Sequence, residues 1–119
     1  MDSLVATIEG ALRRHRFRYA DERELQAGVE HVLRSAGLSV AREAALGALG
    51  VVDFLVDGLA VEVKVRGTRV EVVRQVHRYL QHEEVRGLLL ITTRAALARV
   101  PATIAGKPVY AHHLVSGAF

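Results

Sequence analysis

Asp53, Glu62 and Lys64 are the residues whose types and spacing best suit chemistry. They lie in two β-rich runs, Val51 to Val56 and Leu59 to Val65, separated by Asp57-Gly58. Asp-Gly between alternating apolar runs predicts a two-residue hairpin loop, because a type I′ turn needs positive φ at both central positions. Val56 then pairs with Leu59, Leu55 with Ala60, Phe54 with Val61, and Asp53 with Glu62. Directly opposed residues share a face, with β-carbons roughly 5 Å apart. One face carries Val52, Phe54 and Val56 against Leu59, Val61 and Val63, and must pack on a helix. The other carries Asp53, Glu62, Lys64 and Arg66 at alternate positions.

Two opposed carboxylates repel, and the pair destabilises its ladder unless something positive lies between them. A hard divalent cation meets that need, and oxygen ligands from Asp and Glu suit Mg²⁺ or Mn²⁺. Lys64 can reach the same place, to orient a water and to neutralise charge developing on a phosphate. The plainer alternative is a salt bridge from Lys64 to one carboxylate on a solvated face. A one-residue slip in the turn would carry Asp53 to the opposite face.

These residues need a scaffold, and the rest of the chain predicts one. Leu4, Val5, Ile8 and Leu12 recur at helical spacing over residues 3–14. Asp21 is a suitable cap for a second helix, with Glu24 as its capping-box partner, and Leu25, Val29, Val32, Leu33 and Ala36 line one face. Gly37 stops it. Leu38 to Glu43 reads as a short strand, and Thr68 caps a third helix reaching about Gln81. Gly87 to Thr92 reads as a buried strand, Arg94 to Arg99 as a short helix closed by Pro101, and Pro108 to Leu114 as a last strand. The expected class is therefore α/β, a mixed sheet flanked by helices in the order α-α-β-β-β-α-β-α-β.

Composition sets the outer limits. The 119 residues fit one domain, and half are hydrophobic, as in a globular chain. The absence of cysteine excludes disulfides and thiolate-held metals and fits a reducing cytoplasm. No signal peptide is expected, and the apolar runs Gly47 to Val52 and Gly87 to Ile91 are too short to span a bilayer. A net charge of +3 is compatible with a polyanionic partner. The basic residues gather at Arg13 to Arg18, at Lys64 to Arg69, and at Arg74 and Arg78, where solvated charged faces are the ordinary reading.

Gly50-Val51-Val52-Asp53, eight further residues, and Glu62-Val63-Lys64 together resemble the core of the PD-(D/E)XK nuclease superfamily. Gln75-Val76-His77-Arg78-Tyr79 resembles the Gln-x-x-x-Tyr motif of RecB-like nucleases. Glu22-Arg23-Glu24-Leu25 resembles the N-terminal helix motif of archaeal-type Holliday-junction resolvases. The similarity covers about residues 21–93, with 1–20 as a helical extension and 94–119 as a closing helix and strand. Val52 stands where the motif's name has proline.

The resemblance implies a restriction-endonuclease-like fold and metal-dependent hydrolysis of DNA. It implies that Asp53, Glu62 and the Val63 carbonyl bind Mg²⁺ or Mn²⁺, that Lys64 positions the attacking water, and that Glu22 lies near the metal. Glu22 is preferred as the helix acid because it shares the buried face of Leu25, while Glu24 has a capping role; Glu24 stays an alternative. Gln75 and Tyr79 are adjacent on one helix face, which suits placement beside the site or a half-buried Tyr with a polar neighbour. Arg66, Arg69, Arg74 and Arg78, with Tyr79, are the candidate nucleic-acid contacts; for Arg74 and Arg78 a solvated stripe fits equally well. His112 and His113 are adjacent in a strand and so point to opposite faces, which disfavours a shared metal.

Two other readings keep the fold: a binding module that does not cut, and a defence or toxin-type nuclease subunit that needs a partner chain. An apolar N-terminal helix suggests a homodimer. Substrate form, and cutting from an end or internally, are not encoded in any of these features.

Overall fold

Helix α1 (Asp2–Arg13) buries Val5, Ile8, Ala11 and Leu12, the stripe expected from its spacing. The computed structural model describes residues 1–115; residues 116–119, part of the expected C-terminal segment, lie outside the described residues. Helix α2 (Glu22–Ser35) starts where Asp21 accepts a hydrogen bond from the Glu24 amide at 2.9 Å. Glu24 in turn accepts from the Ala20 amide at 2.7 Å, so both ends of the cap are satisfied by the residues that signalled it. The helix buries Leu25, Val29, Val32 and Leu33.

Strand β1 (Ala41–Ala45) pairs antiparallel with β2 (Val51–Val56), which turns through Asp57-Gly58 into β3 (Leu59–Lys64). Asp57 and Gly58 have φ of +47° and +83°, as a type I′ turn requires. Thr68 and Glu71 form a reciprocal capping box at the start of α3 (Arg69–Tyr79). Strand β4 (Gly87–Thr92) then runs parallel to β3 and is buried throughout. Strands β5 (Thr103–Ile104) and β6 (Lys107–His113) form a hairpin, with β6 parallel to β4. The six strands lie in the order β1-β2-β3-β4-β6-β5.

The sheet separates two apolar cores. Phe54, Val56, Leu59, Val61, Val63, Leu89 and Ile91 pack under α1 and α2. Val52, Ala60, Leu88 and Leu90 pack with Val72, Val76, Tyr79 and Leu80 of α3. Alternation along the buried strands thus supplies one core from each face.

Three expectations need correction. The segment expected as a helix from Arg94 to Arg99 forms tight turns instead, with Leu97 N–H donating to Arg94 O and Ala98 N–H to Ala95 O. Six residues ahead of Pro101 cannot repay the cost of nucleating a helix. In its place the chain adds β5, turning on Ala105 and Gly106 at φ of +54° and +76°, so the order is α-α-β-β-β-α-β-β-β. Val52 joins the α3-side core and not the side of Phe54 and Val56. The apolar face of α1 packs on the chain's own core. Among the described residues, no helix is long and apolar enough to cross a membrane.

The turn that fixes the hairpin register is held from outside. Arg86 N–H donates to Gly58 O at 2.8 Å, and its guanidinium donates to Asp57 O. A methyl group on Gly58 would collide with Arg86 Nε, whereas one on Gly37, at the same φ of +83°, meets nothing within 4 Å. Both alanine variants carry the left-handed penalty of about 1–2 kcal/mol. Gly58→Ala is expected to lose more than Gly37→Ala, which urea denaturation of the two variants will measure.

Candidate active site

Backbone pairing between β2 and β3 covers Val56–Leu59, Leu55–Ala60 and Phe54–Val61. At the next position the backbone pairing ends, and side chains bridge the two strands. The Asp53 amide donates to Glu62 Oε1 at 3.0 Å, and the Val63 amide donates to Asp53 Oδ2 at 2.8 Å. The same row is irregular on the other side of β2. Pairs run Ala41–Leu55, Arg42–Phe54, Ala44–Val52 and Ala45–Val51, passing over Glu43, whose φ is +50°. The expected Asp53–Glu62 backbone pair is not part of the ladder; the two acids are instead brought together by a crossed pair of carboxylate–amide bonds.

Burial gives the pair its electrostatics. Glu62 is 3% exposed and Asp53 half-buried. Removal from water, then the charge of Asp53, pushes the Glu62 carboxyl up to about 7. Burial also raises Asp53, against the Val63 amide and the Lys64 ammonium, with the Glu22 charge adding to the rise. Lys64 Nζ lies 3.4 Å from Glu62 Oε2, so the salt bridge foreseen as the plainer reading is formed.

The start of α2 closes one flank. Glu22 Oε1 accepts from the Val65 amide at 2.9 Å, just past Lys64, while Glu24 is exposed and bonded to Ala20. The geometry brings Glu22 to the site and leaves Glu24 in the cap. On the other flank Gln75 Nε2 donates to Tyr79 Oη at 2.8 Å, and Tyr79 Oη donates to Val51 O at 2.9 Å. Burial raises the Tyr79 phenol, and the nearby Glu62 charge adds to it. Gln75 therefore reaches the site's flank through Tyr79 and touches neither carboxylate directly.

The expected nucleic-acid contacts divide. Arg66 and Arg74 are exposed. Arg69 Nε donates to Arg99 O at 2.7 Å and Arg78 Nε to Leu49 O at 3.0 Å, so each is engaged with a loop carbonyl. Tyr79 is 3% exposed, and its expected role as a nucleic-acid contact is corrected: α3 packs its ring into the core, against Gly50. Thr92, fully buried and paired with Lys64 across β3–β4, was not singled out from the sequence. Its Oγ1 accepts from the Arg94 amide at 3.1 Å. Threonine at the end of an apolar strand gives no distinguishing signal.

Among the described residues, no three His, Asp or Glu side chains are grouped so as to hold a metal ion. The donors placed at the hairpin are the two carboxylates of Asp53 and Glu62. That set fits Mg²⁺, which keeps several waters and takes one or two carboxylates from the protein. Compared with known proteins, the chain matches no family model, no curated protein and no solved structure at a significant level.

The Glu62 carboxyl makes stability depend on pH. Its pKa in the folded chain, about 7, lies above the ordinary 4.5, so the folded state holds a proton that the unfolded state has released. The resulting stabilisation is complete below pH 4.5 and is lost as pH rises through 7. A displacement of that size corresponds to on the order of 3 kcal/mol. Thermal melts in EDTA at pH 5 and pH 8 are expected to show a larger fall in Tm for the wild type than for Glu62→Gln, which has no proton to lose.

Proposed function

We propose that the protein is a metal-dependent nuclease that hydrolyses DNA phosphodiester bonds, with a restriction-endonuclease-like fold of the PD-(D/E)XK kind. The observation that carries this reading is the pairing of buried Glu62 with half-buried Asp53 where the pairing of β2 and β3 ends, with the Lys64 ammonium on Glu62. Two carboxylates forced together out of water, each raised by burial, are a poor structural element and a good cation site. The motif residues follow one another along α2, β2, β3 and α3, around a mixed sheet with helices on both faces.

Asp53, Glu62 and the Val63 carbonyl would hold Mg²⁺ or Mn²⁺. When bound, the cation supplies Lewis-acid stabilisation of charge developing on the phosphate. Lys64 has three donors and no acceptor, so it orients the attacking water and offsets negative charge; it does not take the proton. Glu22 fixes the chain just after Lys64 through Val65, which limits where the ammonium can go. Arg66 and Arg74 are free to meet phosphates. Asp53→Ala and Lys64→Ala are expected to remain folded and to lose cleavage of labelled DNA in Mn²⁺, Lys64→Ala by about 10²–10³-fold. Full metal-dependent cutting by either variant refutes the assignment.

One observation favours a second reading, a nucleic-acid-binding module that does not cut. Asp53 Oδ2, Glu62 Oε1 and Glu62 Oε2 already have partners within the chain, so the pair can close the hairpin with no cation. Calorimetric titration with Mn²⁺ separates the two. The nuclease reading expects binding that Asp53→Asn removes; the module reading expects no such binding.

A further inference from the structure

We propose that the cleft between the α1–α2 connection and the end of β6 binds a single-stranded segment of nucleic acid, beside the carboxylate site. The cleft has a volume of about 560 Å³. Arg14, Arg16, Phe17, Tyr19 and His113 are among the residues that line it. For what happens to the bound strand the proposal rests on the nuclease reading; for the binding itself it does not.

The position follows from the topology. Strands β3, β4 and β6 are parallel, so Lys64, Thr92 and His113 end along one edge of the sheet, the edge where ligands of open sheets sit. Helix α1 runs with β6: Tyr110 Oη donates to the Asp2 carboxylate, and His112 Nδ1 lies 2.6 Å from Glu9 Oε2. The end of α1 therefore reaches that same edge. So does the start of α2, which Glu22 ties to Val65. The connection over residues 14–21 crosses the edge from β6 towards β3. Two strand spacings separate those ends, about 10 Å, or about three nucleotides at the duplex rise per base.

The chemistry of the connection suits that path. Arg13-Arg14-His15-Arg16-Phe17-Arg18-Tyr19 interleaves cations with aromatic rings, the pairing that follows a phosphate backbone while offering faces for bases to stack on. Among the described residues no carboxylate lies within salt-bridge distance of Arg14, Arg16 or Arg18. Glu9, which contacts the lining residues His112 and Arg13, is engaged by both. Phe17 is braced against His15, edge to face with ring centres 4.6 Å apart, and against Gly28. The cleft's volume is that of a small-ligand site, enough for about one or two nucleotides and not for a base-paired duplex.

The test measures binding without cutting. Full-length Asp53→Asn in EDTA is titrated against labelled oligo-dT of about twelve nucleotides and against a blunt duplex of equal length, by fluorescence anisotropy. The expected result is tighter binding of oligo-dT than of duplex. Adding Arg14→Glu and Arg16→Glu should weaken oligo-dT binding about tenfold or more and lower the salt slope by about 0.7 for each arginine. A charge-matched pair away from the cleft, Arg34→Glu with Arg42→Glu, should not do so, and melting curves verify that all variants are folded. The more conservative Arg14→Gln/Arg16→Gln pair should give a smaller loss in the same direction. Equal affinity for duplex and oligo-dT, or unchanged binding in the Arg14/Arg16 variants, overturns the proposal. If the wild type cuts DNA in Mn²⁺ and those variants bind as before, the cleft fails and the nuclease reading stands. If oligo-dT binds through Arg14 and Arg16 but nothing is cut, the cleft stands and the nuclease reading fails.

Discussion

Where the pairing of β2 and β3 ends, two backbone amides are met by carboxylates of the opposite strand. The Asp53 amide goes to Glu62, and the Val63 amide goes to Asp53. Each strand therefore needs the other strand's acid at one position. The cost is two carboxyl groups brought together in a place that disfavours their charged forms. Everything nearby bears on that tension. Lys64 supplies positive charge, α2 presents Glu22 to the next free amide, and Tyr79 of α3 secures β2 just before Asp53.

The two cores hold this arrangement from either side. On the α1/α2 face, Phe54, Val61 and Val63 leave no freedom for β2 and β3 to slide, because a shift of one residue would bring Asp53 and Glu62 into an apolar layer. On the α3 face, Val72, Val76 and Tyr79 cover Ala60 and Leu90 and hold the polar row at the margin of the core. Such a site is a local loss of stability that the surrounding packing tolerates, and the proposed cation is the ligand that would relieve it.

Much of this was legible in the residues themselves. Asp57-Gly58 has one favoured turn, and that turn sets the register of three pairs, which leaves the two acids as near neighbours just beyond them. Asp21 with Glu24 set the start of α2 and so the placement of Glu22. Other features were not legible, for physical reasons that differ. Ala105-Gly106 makes a two-residue turn although alanine disfavours positive φ, a cost met by pairing β5 with β6. The helix-favouring residues from Arg94 to Arg99 are too few to sustain a helix. The side on which Val52 packs depends on the ladder's irregularity beside it, and a strict period of two cannot register that. Tyr79 offered a polar tip and an apolar ring, and burial chose the ring.

Strand β1 forms one border of the sheet, and its side chains are mostly exposed. Glu43 breaks it in the middle, at a positive φ and with a charged side chain in solvent. The free rim is thereby divided into two short stretches, Ala41-Arg42 and Ala44-Ala45, and neither offers a long run of aligned donors and acceptors. A second copy approaching edge-on would find no straight template to extend, and it would meet the Arg42 and Glu43 charges as well. The irregular row that loosens β2 around Asp53 thus has an outward effect: it guards the open side of the sheet against fibrous self-association.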